Sequence, residues 1–532
     1  MRLVRTVANV QDRGRGLPRV LAAVKVRLKA LRKLPWYRFA AGVVAGAAGL
    51  GLTLLLRLFG LGVFLPEIAV DFAVGRIPGS IESFFIRTMG EGAKVLALTV
   101  ALGIFLALPG VYALPFRSLQ ARIPGRWTLM AVYSVVPAAI ALLAILPLLN
   151  AGFFGSQTAA GPAATTFSQV MASFLSASVL DYFLVELAGK HPEGFSFSRR
   201  QFLVSSAILG LSAVVAIYGL STLISRPARL VFASVREMLD KEVTPTAEFY
   251  TVTKNLIDPE VDAGAWSLAI DGLVSSPATY AYGDLVARMD AEEAVTLECV
   301  SNEVGGNLIS TARWRGLRLR DLLSAVGVDP TADWVALTCA DGYTVGVPVL
   351  KAMNPSSLLA LRMNDVTLPT RHGYPARVIV PGLYGMFHAK WVTRITLVRG
   401  EFLGYWQQKG WTNRGAIRTT AIIATPAHDT VVAGPVAVAI GGVAFAGDRG
   451  VSRVEVSTDG GSSWRDATLK APPLSNLTWV LWTIDWTPPG GGSYRVVARA
   501  YDGAGNPQEA SPAPPFSEGA AGYDSITLLV SG

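Results

Sequence analysis

The distribution of apolar residues divides the chain into three regions. Over the first 224 residues, long apolar runs are separated by short polar loops. Five of these runs have about the twenty residues that a helix needs to cross the hydrocarbon core of a bilayer. The runs are 39–56, 95–116, 127–149, 167–188 and 202–224. This pattern predicts an all-α membrane region of five helices over residues 39–224.

The fourth run is the weakest because it contains Asp181 and Glu186, which are costly in lipid unless they face the bundle or reach an interface. The charges of the loops nevertheless favour it as a span. Loops 116–127 and 189–200 each carry three Lys or Arg residues, whereas loop 151–167 carries no charge. Because basic loops stay in the cytoplasm, this alternation requires that 167–188 crosses the membrane. Five spans leave the N terminus in the cytoplasm and the remainder of the chain outside.

After residue 224 the pattern changes twice. Residues 225–248 are predicted to be a linker with an amphipathic helix over 228–243. Residues 249–420 combine alternating, strand-like stretches with one helical spacing over 317–328, which predicts an α+β domain. In residues 421–532, short β segments recur about every ten residues between Gly, Pro and Asp turns, a pattern typical of a β-sandwich. The predicted fold is therefore multidomain.

Composition and charge agree with a membrane location. A mean hydropathy of +0.41 with 16% charged residues is too apolar for an ordinary soluble enzyme. Residues 1–38 hold eleven Lys or Arg residues and one acid, Asp12, which gives this arm a net charge of +10. The whole chain carries +9, so the residues after the arm are close to neutral. Such an arm beside an apolar span is typical of a cytoplasmic anchor on anionic lipid. No basic region with interleaved aromatic residues follows, so we do not expect nucleic-acid binding.

Arg199 and Arg200 stand directly before the last apolar run, as in a twin-arginine export signal. On the predicted topology they lie on the cytoplasmic side, where an export receptor could bind them. The alternative is that they are ordinary positively charged anchors. The export interpretation gains support if the downstream region binds a group that is loaded in the cytoplasm.

Candidate metal ligands and nucleophiles are few. There are two cysteines, Cys299 and Cys339, and four histidines, whose spacing does not fit a compact zinc site. No histidine lies within a predicted span, so we expect no bis-histidine haem there. Spacing alone leaves four roles for Cys299: a buried structural thiol, a disulfide with Cys339, a nucleophile paired with His372 or His388, or a metal-bound thiolate.

Several long motifs resemble the sulfite oxidase family. ECVSN around Cys299 and WRGLRLRDLL at 314–323 resemble the family's molybdenum-cysteine segment. ADGYTVGVPVLKAMNP, MNDVTLPTRHGYPARVIVPGLYGMFHAKWVTRITL and GYWQQKGW are similar to the segments that follow, in the family's order. VEVSTDGGSSWRDATL and YRVVARAYDGAGNPQ resemble its immunoglobulin-like dimerisation domain. The resemblance covers 249–525 and implies a molybdopterin-binding catalytic domain at 249–420 and a homodimer through 421–532.

The resemblance also implies a cofactor and its contacts. Molybdenum would be held by one pyranopterin dithiolene, with Cys299 as its only protein ligand. A soft thiolate suits this metal, and a metal-bound thiol is deprotonated. Arg377 and Lys390 would bind the cofactor phosphate through charge-assisted hydrogen bonds. His372 and His388 would bond the pterin edges.

Two departures from the family change the substrate that the resemblance implies. Tyr343 falls where the family has a tyrosine that can donate a hydrogen bond to a substrate oxygen; the alternative is a strand tyrosine packed at a turn. Sulfite-oxidising members have an arginine where this chain has Glu303 and Val304, and a second one where it has Thr253. A pocket without these cations, and with Glu303 nearby, would bind sulfite poorly. We therefore expect a less anionic or bulkier substrate, such as an S- or N-oxide.

Together these features predict a membrane-anchored molybdenum-pterin oxidoreductase with its catalytic domain outside the cytoplasmic membrane. A cofactor assembled in the cytoplasm would require export in the folded state, which agrees with the paired arginines. Without a haem of its own, the enzyme would exchange electrons with a separate carrier, a cytochrome or the quinone pool. One alternative is a non-enzymatic surface binding protein on the same scaffold. A transporter or sensor is less well supported, because the spans show no inverted repeat.

Overall fold

The structure is a computed structural model that describes residues 36–89, 92–123, 125–158, 160–187, 229–255, 258–434 and 436–531. The chain divides into two compact units, one formed by residues 1–73 and 94–219 and the other by residues 74–93 and 220–532. The basic arm over 1–35, the predicted fifth span at 202–224, and Arg199 with Arg200 lie outside the described residues.

Helices make up most of the described part of the first unit. The α-helices of both units are Trp36–Leu58, Leu65–Val74, Gly79–Met89, Gly92–Ala113, Phe116–Arg122, Arg126–Ile140, Leu146–Leu148, Gly161–Asp181, Val235–Asp240, Tyr282–Ala287, Leu319–Val326 and Val349–Ala352. Short π-helical segments, Ala141–Ile145 and Tyr182–Leu187, extend two of them. Single 3-10 turns occur at Phe153–Gly155, Thr370–His372, Gly385–Phe387, Gln407–Lys409 and Gly447–Arg449.

Four helical stretches are long and apolar enough to cross a membrane: Tyr37–Leu58, Leu96–Arg122, Arg126–Leu148 and Gly161–Val185. They overlap the first four predicted runs, so that part of the prediction is confirmed. Asp181, the costly residue of the fourth run, is only 4% exposed. Its Oδ2 atom accepts hydrogen bonds from Arg126 Nε at 2.9 Å and Nη2 at 2.6 Å. The buried carboxylate is thus paired with an arginine whose side chain is 53% exposed, and pairing of this kind makes a carboxylate in an apolar segment less costly.

The α+β part of the second unit contains two sheets. Its strands are β1 (Ser267–Gly272), β2 (Ala278–Ala281), β3 (Ala291–Glu298), β4 (Ile309–Arg318), β5 (Trp334–Cys339), β6 (Thr344–Pro348), β7 (Leu358–Met363), β8 (Val366–Thr367), β9 (Arg377–Ile379) and β10 (Val392–Val398). One sheet has the order β2-β1-β10-β5-β6, in which only β1 and β10 are parallel. The other has the order β3-β4-β7-β8, with β9 paired to β7.

The helical spacing seen over 317–328 forms the helix Leu319–Val326. Its apolar residues recur every three or four positions, and all four are buried: Leu319, Leu322, Leu323 and Val326. Gly327 ends the helix with a φ of 67°, a left-handed conformation that glycine adopts without steric cost. This element, its buried face and its end were all predictable from the local pattern.

The linker helix is shorter than the predicted 228–243. It covers only Val235–Asp240 and begins after Ser234, whose hydroxyl group accepts the backbone N–H of Glu237 at 3.2 Å. The residues before it are held by other parts of the chain. The backbone N–H of Phe232 donates to the carbonyl oxygen of Ala424 at 2.9 Å. Because this long-range pairing uses the backbone, the helix cannot start earlier.

The C-terminal part is β-rich. Its strands are β11 (Thr420–Thr425), β12 (Thr430–Ala433), β13 (Val438–Phe445), β14 (Val451–Ser457), β15 (Arg465–Asp466), β16 (Thr468–Leu469), β17 (Val480–Trp486), β18 (Gly492–Asp502) and β19 (Asp524–Ser531). They form two sheets, β11-β13-β17-β16 and β12-β19-β18-β14-β15. Ile440 and Trp482 from the first sheet share one buried core with Val496 and Leu528 from the second. Both sheets therefore bury their apolar faces in a common interior.

Candidate active site

A cavity in the α+β part brings together every site residue that the sequence predicted. Its lining includes Cys299, Tyr343, His372, Arg377, His388 and Lys390. These residues come from separate parts of the chain: the end of β3, the β5–β6 turn and the stretch between β8 and β10. Residues 250–254 and three tryptophans, Trp391, Trp406 and Trp411, also line the cavity.

Cys299 follows β3 directly, and its backbone N–H donates to the carbonyl oxygen of Leu308 at 2.9 Å. The residue is 7% exposed. Both Cys299 and Cys339 are free thiols, so the disulfide considered for them is not formed. Burial raises the pKa of Cys299 to about 11, which keeps an isolated thiol neutral at pH 7. A bound metal ion would reverse this preference, because coordination deprotonates a thiol.

The two histidines are engaged with the backbone. His372 directs Nε2 to the carbonyl oxygen of Thr246 at 3.2 Å. In His388, Nδ1 accepts the N–H of Val380 at 3.1 Å and Nε2 donates to the carbonyl oxygen of Leu383 at 2.9 Å. Burial lowers the pKa of His372 to about 4 and that of His388 to about 3, so both rings are neutral at pH 7. Both ring nitrogens of His388 are therefore in use. In this geometry neither can accept a proton from the Cys299 thiol or form a hydrogen bond with a pterin.

Arg377 is a buried cation with an unused donor. It is 6% exposed, and its Nη1 atom donates to the carbonyl oxygen of His372 at 3.3 Å. The guanidinium group lies 5.3 Å from the centre of the Trp314 ring. Its Nε atom has no hydrogen-bond partner in the described part of the chain. Burial lowers the pKa of Arg377 to about 10, so it still carries its charge at pH 7 and suits an anionic ligand.

Two further polar atoms of the wall are also buried without a partner among the described residues: Thr251 Oγ1 and Trp411 Nε1. A buried polar group without a hydrogen bond costs about 1–3 kcal/mol, so such groups normally have a partner. With Arg377 Nε they form a set of buried polar atoms at one cavity, which fits a polar ligand. Lys390 also lines this cavity, but its ammonium group already has partners: Nζ donates to the carbonyl oxygen of Arg371 at 3.2 Å.

Tyr343 lies at the end of the β5–β6 turn, and its hydroxyl group donates to the carbonyl oxygen of Met386 at 2.7 Å. Burial raises its pKa well above the usual value of 10, so the proton stays on the hydroxyl group. The tyrosine is thus packed through its hydroxyl group and also lines the cavity, and its hydrogen bond to a substrate oxygen stays a prediction.

The sequence interpretation missed a charged pair in this cavity. Lys254 donates through Nζ to Asn255 Oδ1 at 2.8 Å and to the carbonyl oxygen of Asp341 at 2.9 Å. The same Nζ lies 3.6 Å from Asp341 Oδ2. The arginine that the family has at this place is absent, but Lys254 puts another cation next to Thr253 in the cavity wall. The signal was the next residue in the motif, Lys254.

The expected repulsion from Glu303 is not supported either. Neither Glu303 nor Val304 is part of the cavity wall, although both follow Cys299 closely in sequence. Ser301 is the last residue of this stretch that lines the cavity. Glu303 and Val304 therefore make no direct contact with the space inside this cavity.

Comparison with known proteins identifies two family models along the chain. The oxidoreductase molybdopterin-binding domain matches residues 255–406, and the Mo-co oxidoreductase dimerisation domain matches residues 414–513. The first match contains all the predicted site residues, and the second covers most of the β-rich part.

Individual relatives agree with these matches. Chicken sulfite oxidase is 30% identical over 325 residues, which are 52% of this chain and 70% of the chicken protein. Barley nitrate reductase [NADH] is 29% identical over 306 residues, 46% of this chain and 33% of that enzyme. The sulfane dehydrogenase SoxCD from Paracoccus pantotrophus gives a TM-score of 0.47 at 23% identity, covering 54% of this chain and 80% of that one. The chain spans 58–59% of the matched mammalian sulfite oxidases.

Proposed function

The chain belongs to the sulfite oxidase family of molybdopterin-dependent oxidoreductases, and we propose that it is a membrane-anchored member acting outside the cytoplasmic membrane. It is an oxidoreductase whose cofactor is molybdenum-molybdopterin. The observation that carries the proposal is the single cavity that joins Cys299 to a buried arginine with an unused N–H. The alternative of a non-enzymatic binding protein is set aside.

The cavity residues fit this cofactor. When bound, molybdenum-molybdopterin supplies two-electron chemistry with transfer of an oxygen atom. Cys299 would bind the metal, and the guanidinium group of Arg377 would neutralise the cofactor phosphate, assisted by Lys390 at the rim. His372 lies behind Arg377 and positions it through its backbone carbonyl group. We assign His388 to holding the loop around Val380 instead of to direct contact with the pterin.

For the substrate we favour reduction of an S- or N-oxide over oxidation of sulfite. In this reaction the S–O or N–O bond breaks. Two electrons and two protons are consumed, and the oxygen atom leaves as water. The electrons come from a separate carrier, a haem protein or a quinol. The support is that Lys254 of the cavity wall is paired with the carboxylate of Asp341, which also accepts the N–H of Tyr343, so little positive charge is left there for an anion.

The membrane topology remains part of the proposal. Four apolar helices, a fifth apolar run at 202–224 and basic loops on alternate sides support five spans. Arg199 and Arg200 would then direct export of the folded, cofactor-loaded domain. Changing both arginines to lysine keeps the anchoring charge, so a reporter after Gly532 should stay inside the cell only if a receptor reads the arginines. Normal export would leave them as anchors. The C-terminal sandwich, which we assign to the immunoglobulin-like type, would form a homodimer.

The decisive experiment measures cofactor and substrate on the full-length protein in detergent. We expect one molybdenum and one pterin per chain, and saturable reduction of a sulfoxide or an amine oxide with an artificial electron donor. Sulfite with an artificial acceptor is the comparison. Purified, folded protein without molybdenum or pterin would contradict the proposed function. Efficient oxidation of sulfite at micromolar concentrations would contradict only the choice of substrate.

A further inference from the structure

The substrate end of the cavity contains an ion pair whose partners are 87 positions apart in sequence. The Lys254 side chain is 15% exposed and that of Asp341 is 6% exposed. One backbone group and one side chain hold the carboxylate of Asp341. The backbone N–H of Tyr343 donates to Oδ1 at 3.0 Å, and Asn255 Nδ2 donates to Oδ2 at 3.0 Å. Asp341 is thus held rigidly, two residues before the tyrosine of the wall.

Lys254 is held as firmly as its counterion. Its ammonium group donates to Asn255 Oδ1 and to the carbonyl oxygen of Asp341, and the Tyr405 ring centre lies 5.7 Å from Nζ. An ammonium group has three N–H donors, so this arrangement leaves little of its hydrogen-bonding capacity for a substrate. The pair is also electrically neutral at its position in the wall.

The other cations of the cavity wall do not take the place of Lys254 as a binding group for an anionic substrate. Arg377 and Lys390 are those that we assign to the cofactor, and Arg371 is exposed. Asp341 is the only carboxylate among the residues that line the cavity in the described chain. The same wall also contains Met386, Trp391, Trp406 and Trp411. The substrate end therefore combines a neutral charged pair with a thioether and aromatic rings.

We propose that Asp341 sets the charge selectivity of this site: by neutralising and holding Lys254, it excludes anions and favours uncharged oxides with an apolar substituent. This inference rests on the proposed function and names a positioning residue, since Asp341 acts through Lys254. Met386 and the tryptophans would contact the apolar substituent. Buried Trp411 Nε1, which has no partner among the described residues, is placed in the same wall to donate to the oxide oxygen.

The test compares binding of sulfate and of dimethyl sulfoxide to the full-length holoprotein in detergent. Binding is followed by tryptophan fluorescence and by the rise in Tm with ligand, so no turnover is needed. In Asp341→Asn, an amide retains one acceptor oxygen but removes the charge. A released charge-assisted contact should then strengthen sulfate binding by about tenfold to a hundredfold, with dimethyl sulfoxide binding changed less than about twofold.

Two further variants separate this effect from others. The double variant Asp341→Asn/Lys254→Met is neutral at this position, as the wild-type pair is, and should bind sulfate like the wild type. Asp448→Asn removes the carboxylate from another ion pair, in which Lys351 Nζ lies 2.6 Å from Asp448 Oδ2, outside the cavity wall. This variant has the same net charge as Asp341→Asn, and its affinity for sulfate should not increase.

The proposal is overturned if Asp341→Asn folds with an unchanged Tm and shows no gain in sulfate binding. It is overturned equally if Asp448→Asn shows the same gain, because net charge would then be the cause. A double variant that binds sulfate tenfold more weakly than the wild type would also overturn it, since Lys254 would already serve anions. Lack of any oxide or sulfite turnover in the wild type would instead count against the proposed function, and the binding data would still decide this inference.

Discussion

The hydroxyl group of Tyr343 is tied to the backbone carbonyl oxygen of Met386 by a 2.7 Å hydrogen bond. The bond joins the β5–β6 turn to the 3-10 turn Gly385–Phe387, and both residues line the cavity. The tyrosine therefore has a structural partner before any substrate arrives. Its hydroxyl oxygen can still accept a hydrogen bond, and its proton can reach a substrate only if this bond is given up.

Removing this hydroxyl group should affect both stability and turnover. We expect Tyr343→Phe to lose about 1 kcal/mol of stability, because the Met386 carbonyl group loses its donor. Tyr494→Phe is a matched control, since its hydroxyl group donates to the carbonyl oxygen of Gly490 at 2.9 Å in the β-rich part. Denaturant unfolding should detect a similar loss in both variants, whereas kcat/KM should fall only for Tyr343→Phe. Unchanged kinetics would restrict Tyr343 to a structural role.

Cys299 can be tested against the second buried cysteine. Cys299→Ser should leave the protein folded but reduce turnover by more than the about 10–100-fold typical of residues that only support a metal ligand. The metal's electronic spectrum should change as well. Cys339→Ala removes a buried thiol that does not line the cavity, and should retain both the spectrum and most of the activity. Wild-type turnover in Cys299→Ser would disprove the metal-ligand assignment.

The role of Arg377 should appear in cofactor content. Arg377→Met removes a buried charge, and loss of a charge-assisted hydrogen bond of about 1.5–3 kcal/mol should weaken cofactor retention at least tenfold. The measurement is molybdenum and pterin per chain after dialysis. Arg394→Met is the control, since Arg394 is 57% exposed and pairs with Asp271 at 3.3 Å outside the cavity wall. Full cofactor occupancy in dialysed Arg377→Met would rule out a phosphate contact.

His388 should make the folded state sensitive to acid. Its pKa is lowered to about 3 from an ordinary value of 6.5, so the unfolded chain takes up the proton first as the pH falls. The stability that neutral His388 contributes is fully present above about pH 6.5 and is lost toward pH 3, by at most about 1.4 kcal/mol per pH unit.

His388→Gln removes this titration. We expect its Tm to fall less steeply than that of the wild type between about pH 7 and pH 4, whatever its absolute stability. His428→Gln is the control, because His428 is half exposed and lies in the β-rich part. Equal acid slopes for His388→Gln and the wild type would show that burial does not lower the pKa of His388 in the folded state.

The ion pair between Arg126 and Asp181 should stabilise the helical unit only as a pair. Arg126→Leu leaves a buried carboxylate without its cation, which typically costs about 3–5 kcal/mol. Changing both residues to leucine should recover most of this loss, because no buried charge remains. Thermal unfolding in detergent micelles distinguishes the variants. Equal Tm values for the single and double variants would show that Asp181 is solvated without Arg126.

Local pattern was sufficient for several elements of the chain, although not for the start of the linker helix Val235–Asp240. The four described spans, the strand before Cys299 and the helix Leu319–Val326 depend on hydrophobic periodicity and on residues such as Gly327, which act within a few positions. The long motifs were also sufficient for the family and the cofactor, since a binding loop retains its residue order. Hydrophobic periodicity and long motifs are both properties of contiguous stretches of sequence.

The state of each charge was decided by the tertiary structure. Sequence shows Lys254 and Asp341 as two separate charges, and only the fold brings them together across 87 positions. The same holds for His388, whose two ring nitrogens are used by backbone groups of Val380 and Leu383. Periodicity specifies which side chains are buried, but a polar side chain's partner depends on which loops meet at the cavity. Electrostatic and hydrogen-bond energies depend on the distance between groups in space, and therefore the charge pairing in the cavity follows from the fold and not from the local sequence.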